Sequence, residues 1–193
     1  MQKLERSDLW TLEAYSEARD AFRAEVIEHK KPRRVALTPN ATMYFEDRTT
    51  IRYQVQEMLR VERIFTAAEI QEELAAYNPL IPDGTNWKGT FMFEYPDVAE
   101  RRQALAEMPG IEHRIWVQVG DAPRIFAIAN EDLDRSTDEK TAAVHFLRFE
   151  LDPASVAAAK AGATIRMGIE HARMHADVAL PEATRRSLVA DLD

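Results

Sequence analysis

Arg34-Val35-Ala36-Leu37-Thr38-Pro39-Asn40-Ala41-Thr42-Met43-Tyr44-Phe45-Glu46 carries two short runs of strand-forming residues, Arg34 to Thr38 and Thr42 to Glu46. Pro39-Asn40 between them has turn chemistry, so the two runs form a hairpin. The pattern recurs at Arg114 to Val119 and Arg124 to Ala129, across Gly120-Asp121-Ala122-Pro123. Single runs at Gly89 to Tyr95, Ala142 to Leu151 and Thr164 to Glu170 bring the count to about seven strands, beside about six helices. Strands that come in hairpins, rather than alternating with helices, predict an α+β fold. Its antiparallel β-sheet has about seven strands, with helices packed mainly on one side.

The helices follow from period and punctuation. Ser7 or Asp8 can cap a first helix toward Lys31, with Leu9, Leu12, Tyr15, Phe22 and Val26 at near-helical spacing and Pro32 as its stop. Thr50 to Phe65 is helical by the spacing of Ile51, Val55, Met58, Leu59 and Phe65. Thr66-Ala67-Ala68-Glu69 is a capping box, with Phe65 and Ile70 at the positions of a hydrophobic staple, so another helix starts at once and reaches about Tyr77. Further helices are expected from Pro96 to Met108, from Pro153 to Ala161 before Gly162, and from Pro181 to Leu192. Asn78 to Gly84 is a loop with two prolines, and Asn130 to Thr141 an acidic loop. No repeat, low-complexity tract or linker interrupts the chain, which predicts a single domain over 1–193.

Composition removes several function classes. Of 193 residues, 46% are hydrophobic and 30% charged, which fits a globular chain and not a disordered one. There is no run of about 18 apolar residues and no apolar core near the start, so a cytoplasmic protein without membrane partners is expected. The absence of cysteine excludes disulfides, Cys-ligated zinc or iron–sulfur clusters, and a thiol nucleophile. A net charge of −8 disfavours nucleic acid. The one basic cluster, His29-Lys30-Lys31-Pro32-Arg33-Arg34, reads as a helix C-terminus, where cations meet the negative end of the dipole.

Three motif imitations fail on context. Gly84 to Thr90 has P-loop glycine spacing, but no Lys follows the second Gly, and a strand follows where a helix is needed. Asp132, Asp134, Ser136 and Asp138 imitate the first half of an EF-hand, but Thr137 stands where Gly must turn and Ala143 where a bidentate Glu belongs. His171 and His175 have ligand spacing only on a helix, and the preceding residues read as a strand.

Alternation gives the candidate site. His145, Leu147, Phe149 and Leu151 point one way, and Val144, Phe146, Arg148 and Glu150 the other. Glu94 lies on the Thr90 and Met92 face. If the strands are neighbours, one sheet face carries Glu94, Arg148, Glu150, Arg166 and Glu170, either as solvated ion pairs or as a site. On the Thr50–Phe65 helix, Gln54 and Glu62 fall within the apolar stripe and require partners, while Tyr53 and Glu57 are i,i+4 neighbours. The sharper reading joins Tyr53, Glu57 and Arg60 to Glu94, Arg148 and Glu150 as a ligand-binding set whose arginines suit an anion. Glu46 and His145 are the candidate metal ligands, His145 being otherwise a core histidine. No cofactor is assigned.

Three stretches carry a resemblance: Thr42 to Arg48 followed by Tyr53 to Arg60, Tyr77-Asn78-Pro79-Leu80-Ile81-Pro82, and Thr141 to Leu151. They resemble a bacterial family known as domain of unknown function 3501. Its members are often encoded beside rubrerythrin-like proteins and iron–sulfur oxidoreductase subunits. The resemblance implies a place near peroxide or anaerobic redox metabolism and assigns no catalytic residue. Two functions are therefore expected in competition. One is a cytoplasmic accessory protein of a rubrerythrin-linked redox or oxidative-stress system, binding a redox partner, as a homodimer, with Trp87 and Trp116 as surface aromatics. The other is a metal-assisted hydrolase or phosphoryl-transfer enzyme with a carboxylate and His site.

Overall fold

The computed structural model of the chain describes residues 2–133, 135–137 and 139–193; Asp134 and Asp138 of the acidic loop lie outside the described residues. The first hairpin forms as its turn chemistry requires, with β1 (Arg34–Thr38) antiparallel to β2 (Ala41–Phe45) around Pro39-Asn40. β2 pairs along its length with β3 (Asn86–Phe93), which pairs with β7 (Val144–Glu150). The short β6 (Ile128–Ala129) adds an edge, giving the order β1-β2-β3-β7-β6. A second sheet holds β4 (Ile115–Val119), β5 (Ile125–Phe126), β8 (Ile165–His171) and β9 (Met174–Ala179) in the order β5-β4-β8-β9. All pairings are antiparallel, so the α+β class and the antiparallel pattern hold; the strands divide between two sheets of five and four.

The division has a local cause. Within the run Arg124 to Ala129, Ile125 and Phe126 pair with β4, the Ala127 amide still bonds Ile115 at 2.8 Å, and the next two residues pair with β7. One apparent strand therefore bridges both sheets. The inner faces close on each other. Met43, Phe45, Trp87, Phe91, Phe93, Leu147 and Phe149 of the first sheet share one apolar cluster with Ile115, Val117, Ile165, Met167 and Ile169 of the second. Trp87 and Trp116 are both fully buried, correcting their expected place on the surface. Trp87 belongs to this core, and its indole donates to the Leu188 carbonyl at 2.8 Å.

Helices cover the outer face of the first sheet. α1 (Leu12–Lys30) starts at Thr11, whose hydroxyl accepts from the Ala14 amide, because Arg6–Asp8 spend themselves on a 3-10 turn. α2 (Arg48–Val61) starts earlier than its apolar period suggests. Asp47 caps it by accepting from the Thr50 amide at 2.9 Å while Thr50 accepts from the Asp47 amide. It ends before Phe65, where Arg63 takes a left-handed φ of 56°. α3 (Ala67–Tyr77) is capped by Thr66, but the box is only half formed, because the Glu69 carboxylate accepts from the Thr66 hydroxyl and not from its backbone amide. α2 and α3 pack Ile51, Val55, Leu59, Ile70 and Leu74 into a second cluster with Leu4 and Leu9. α4 (Val98–Glu107), α5 (Pro153–Lys160) and α6 (Glu182–Val189) complete the chain. Among the described residues no helix is long and apolar enough to cross a membrane.

Candidate functional site

Strand alternation turns Lys88 and Thr90 of β3 and Phe146 and Arg148 of β7 outward, in the register Lys88↔Arg148 and Thr90↔Phe146. Above them stand Met58 of α2, Glu73, Ala76 and Tyr77 of α3, and Pro79 and Leu80 of the following 3-10 turn. Glu131 and Asp132 of the acidic loop form a third wall. The cleft between them is half open to solvent and measures about 400 Å³. Met58, Ala76, Tyr77, Leu80 and Phe146 make most of its lining apolar, while Lys88, Arg148 and Glu131 give it a charged end.

That end is built, not incidental. Lys88 is buried, and its ammonium donates to the Pro79 carbonyl at 2.9 Å and to Asp83 Oδ2 at 2.6 Å. Asp83 also accepts from Lys3 and Asn86. Against the upward push of burial, these donors hold its carboxyl well below the usual carboxylate range. Arg148 presents a two-toothed fork to Glu131, Nε to Oε2 and Nη2 to Oε1, both at 2.8 Å, and its Nη1 donates to Glu150 at 2.6 Å. This fork lowers the Glu131 pKa. The loop carrying Glu131 is strapped to the sheet. Asn130, at a left-handed φ of 53°, exchanges hydrogen bonds with the Phe146 backbone, and the Arg135 guanidinium lies 4.6 Å over the Phe146 ring.

Of the residues singled out by sequence, Arg148 and Glu150 meet at this end, Glu150 also accepting from Thr85 and Asn86. Tyr53 and Glu57 face α1 rather than the sheet, and Arg60 is an exposed residue that donates to Glu57. Glu57 accepts from Tyr15 Oη at 2.6 Å, from Arg19 at 2.8 and 2.9 Å and from Arg60 at 3.2 Å, and the Tyr53 ring sits 5.8 Å from Phe22. Glu94, one residue past the end of β3, accepts from Thr42 and Tyr44, each at 2.6 Å; at ~3.3 Å per residue it lies roughly 26 Å from Asn86 and the Glu150 cluster. Arg166 and Glu170 belong to β8 in the other sheet. On α2 the buried polar side chains are Thr50, in the Asp47 cap, and Gln56, which accepts from the Trp10 amide at 2.7 Å, while Gln54 is half-buried and Glu62, just past the helix, is exposed.

Glu46 and His145 lie on opposite sides of the first sheet. Glu46 accepts from Thr90 on the outer face and from Thr50 of α2. His145 pairs with Phe91 on the inner face and is fully buried. Asn130 Nδ2 lies 3.0 Å from its Nδ1, which must therefore accept, leaving Nε2–H to donate to Thr141 Oγ1 at 2.8 Å and the Ala142 carbonyl at 3.1 Å. Burial lowers its pKa, so the ring is a neutral post anchoring both ends of the acidic loop. Among the described residues no three His, Asp or Glu side chains converge as a metal set.

Sequence reading missed Lys88, Glu131, Met58 as a wall, Tyr77 and Phe146. The available signal was the period of β3: continued back from Thr90 through Gly89, it puts Lys88 on the Arg148 face.

The family described as "Protein of unknown function (DUF3501)" matches residues 3–192. A solved structure, titled as a novel protein of unknown function from Burkholderia pseudomallei, superposes with a TM-score of 0.94 at 48% identity, covering 100% of both chains. No curated protein matches.

Proposed function

We propose that this chain, which belongs to the DUF3501 family of proteins of unknown function, is a small-molecule-binding protein whose ligand sits between the α2–α3 layer and the outer face of the first sheet. The observation that carries the reading is the cavity of about 400 Å³, apolar over most of its lining, with Lys88, Arg148 and Glu131 grouped on the sheet side and Glu73 on the α3 wall. Lys88 and Arg148 are already oriented by Pro79, Asp83 and Glu131, so little ordering of polar side chains remains for binding. We set this role in a cytoplasmic, homodimeric accessory protein acting beside a redox partner; the resemblance implies the rubrerythrin-linked redox or oxidative-stress setting. Failure to co-purify with a rubrerythrin-like protein at micromolar concentration counts against that setting.

The binding role has its own test. Nile red, an uncharged dye, should bind with saturable fluorescence at one site per chain. Ala76→Trp, which fills the cavity from an exposed helix position, should abolish that signal while leaving the melting transition cooperative. Dye binding that is unaffected by this substitution refutes the site.

A further inference from the structure

We infer that the ligand is an amphipathic carboxylate, its head group on Arg148 and its apolar body against Phe146, Tyr77 and Leu80; the inference rests on the binding role proposed above. The head-group position is already filled by a carboxylate. Glu131 reaches in from the acidic loop and takes both teeth of the Arg148 fork, Nε and Nη2, at 2.8 Å each. A planar guanidinium held edge-on to a carboxylate selects that shape over a point charge.

Glu131 is also the weakest member of the cluster. Its side chain is 52% exposed, against 23% for Arg148. An ion pair that exposed holds loosely. A ligand carboxylate tied to a chain that enters the cavity adds apolar burial, roughly fourfold in affinity per buried methylene, and so displaces Glu131 from the fork. Arg148 does not swing free when this happens, because Glu150 keeps its Nη1 at 2.6 Å. Lys88 adds positive potential beside the fork and has a third N–H beyond its bonds to Pro79 and Asp83. Of the other carboxylates in the lining, Asp132 is taken by Arg135, and Glu73 on the α3 wall disfavours the reversed orientation. Glu131 is therefore an internal stand-in for the ligand head, and binding displaces its side chain from the fork while Asn130 and Arg135 keep the loop on the sheet.

The experiment displaces Nile red from the full chain with octanoate, octanol and octylamine. Octanoate should compete best and octylamine worst. Glu131→Gln should tighten octanoate roughly three- to fivefold, the span of an exposed ion pair, and leave octanol unchanged. Arg148→Lys, which keeps the charge but removes the fork, should weaken octanoate roughly tenfold with melting still cooperative. Octylamine competing as well as octanoate, or Glu131→Gln weakening octanoate, overturns the inference. The two levels separate cleanly. No dye binding, or dye binding indifferent to Ala76→Trp, sinks the binding role and this inference with it. Dye binding with octanoate no better than octanol sinks only the head-group assignment.

Discussion

Glu57 holds α1 against α2 by accepting from Tyr15 and Arg19, and its acidity records that work. The Arg19 hydrogen bonds, with that of Tyr15, outweigh burial and keep its carboxyl at about 2, from an ordinary 4.5. The unfolded chain therefore binds a proton that the folded chain refuses between these values. The stabilisation is fully present above 4.5 and is lost as pH falls toward 2. Glu57→Gln should remove that acid dependence and lower stability at neutral pH by about 1–3 kcal/mol, as a charged acceptor is lost to Tyr15 and Arg19. Denaturant unfolding of both proteins across the window measures it, and parallel acid profiles would refute it. Sequence spacing found the Tyr53–Glu57 pair, but the neighbour they face is set by how α1 lies, which spacing on one helix does not encode. Arg148 and Glu150 were legible because strand parity fixes a side chain's face whatever its neighbours are. Glu131 was not, because a loop has no period.

At the scale of elements, Thr66 and Phe65 separate two signals that the sequence presents as one. Thr66 caps α3 by accepting from the Glu69 amide at 3.3 Å and donates its hydroxyl to the Glu69 carboxylate at 2.6 Å. Phe65, at the staple position, is 71% exposed, while Ile70 is buried. Thr66→Ala should therefore cost about 1 kcal/mol. Phe65→Ser should stay within about 0.5 kcal/mol, since most of that ring is already in water. Denaturation midpoints read both, and a Phe65 loss equal to that of Thr66 would restore the staple. Caps and hairpin turns were readable because their chemistry is local. β9 was not: Ala172-Arg173 turns the chain without Gly, Pro, Asn or Asp, and the hairpin shows only in its pairing of His171 with Met174. That pairing also puts the His171 and His175 spacing on strands, where it makes no metal site.

Across the whole molecule, a buried cation at the start of the first hairpin fastens the C-terminal segment. Arg33 pairs with Asp191 at 2.5 Å and donates to Ser187 beside it. It also bonds the Phe45 and Glu46 carbonyls at 3.1 and 3.0 Å, where β2 passes into α2. Sequence placed Arg33 in a basic run at a helix C-terminus, and composition cannot tell an exposed cation of such a run from one that closes a fold over 158 residues. Burial pushes the Asp191 carboxyl up to about 6 from 3.8, against the pull of Arg33. Here the sign reverses relative to Glu57: between these values the folded chain binds the proton that the unfolded chain releases. Stability from this group is greatest below 3.8 and declines as pH rises through 6, by on the order of 2–3 kcal/mol. Asp191→Asn, which cannot ionise, should lack that decline, so wild type should lose stability relative to the variant as pH climbs through the window. A difference in unfolding free energy that stays flat would mean that Arg33 offsets the cost of burial and leaves the α6 latch insensitive to pH, and one that rises with pH would mean that Arg33 outweighs burial; either result refutes the prediction.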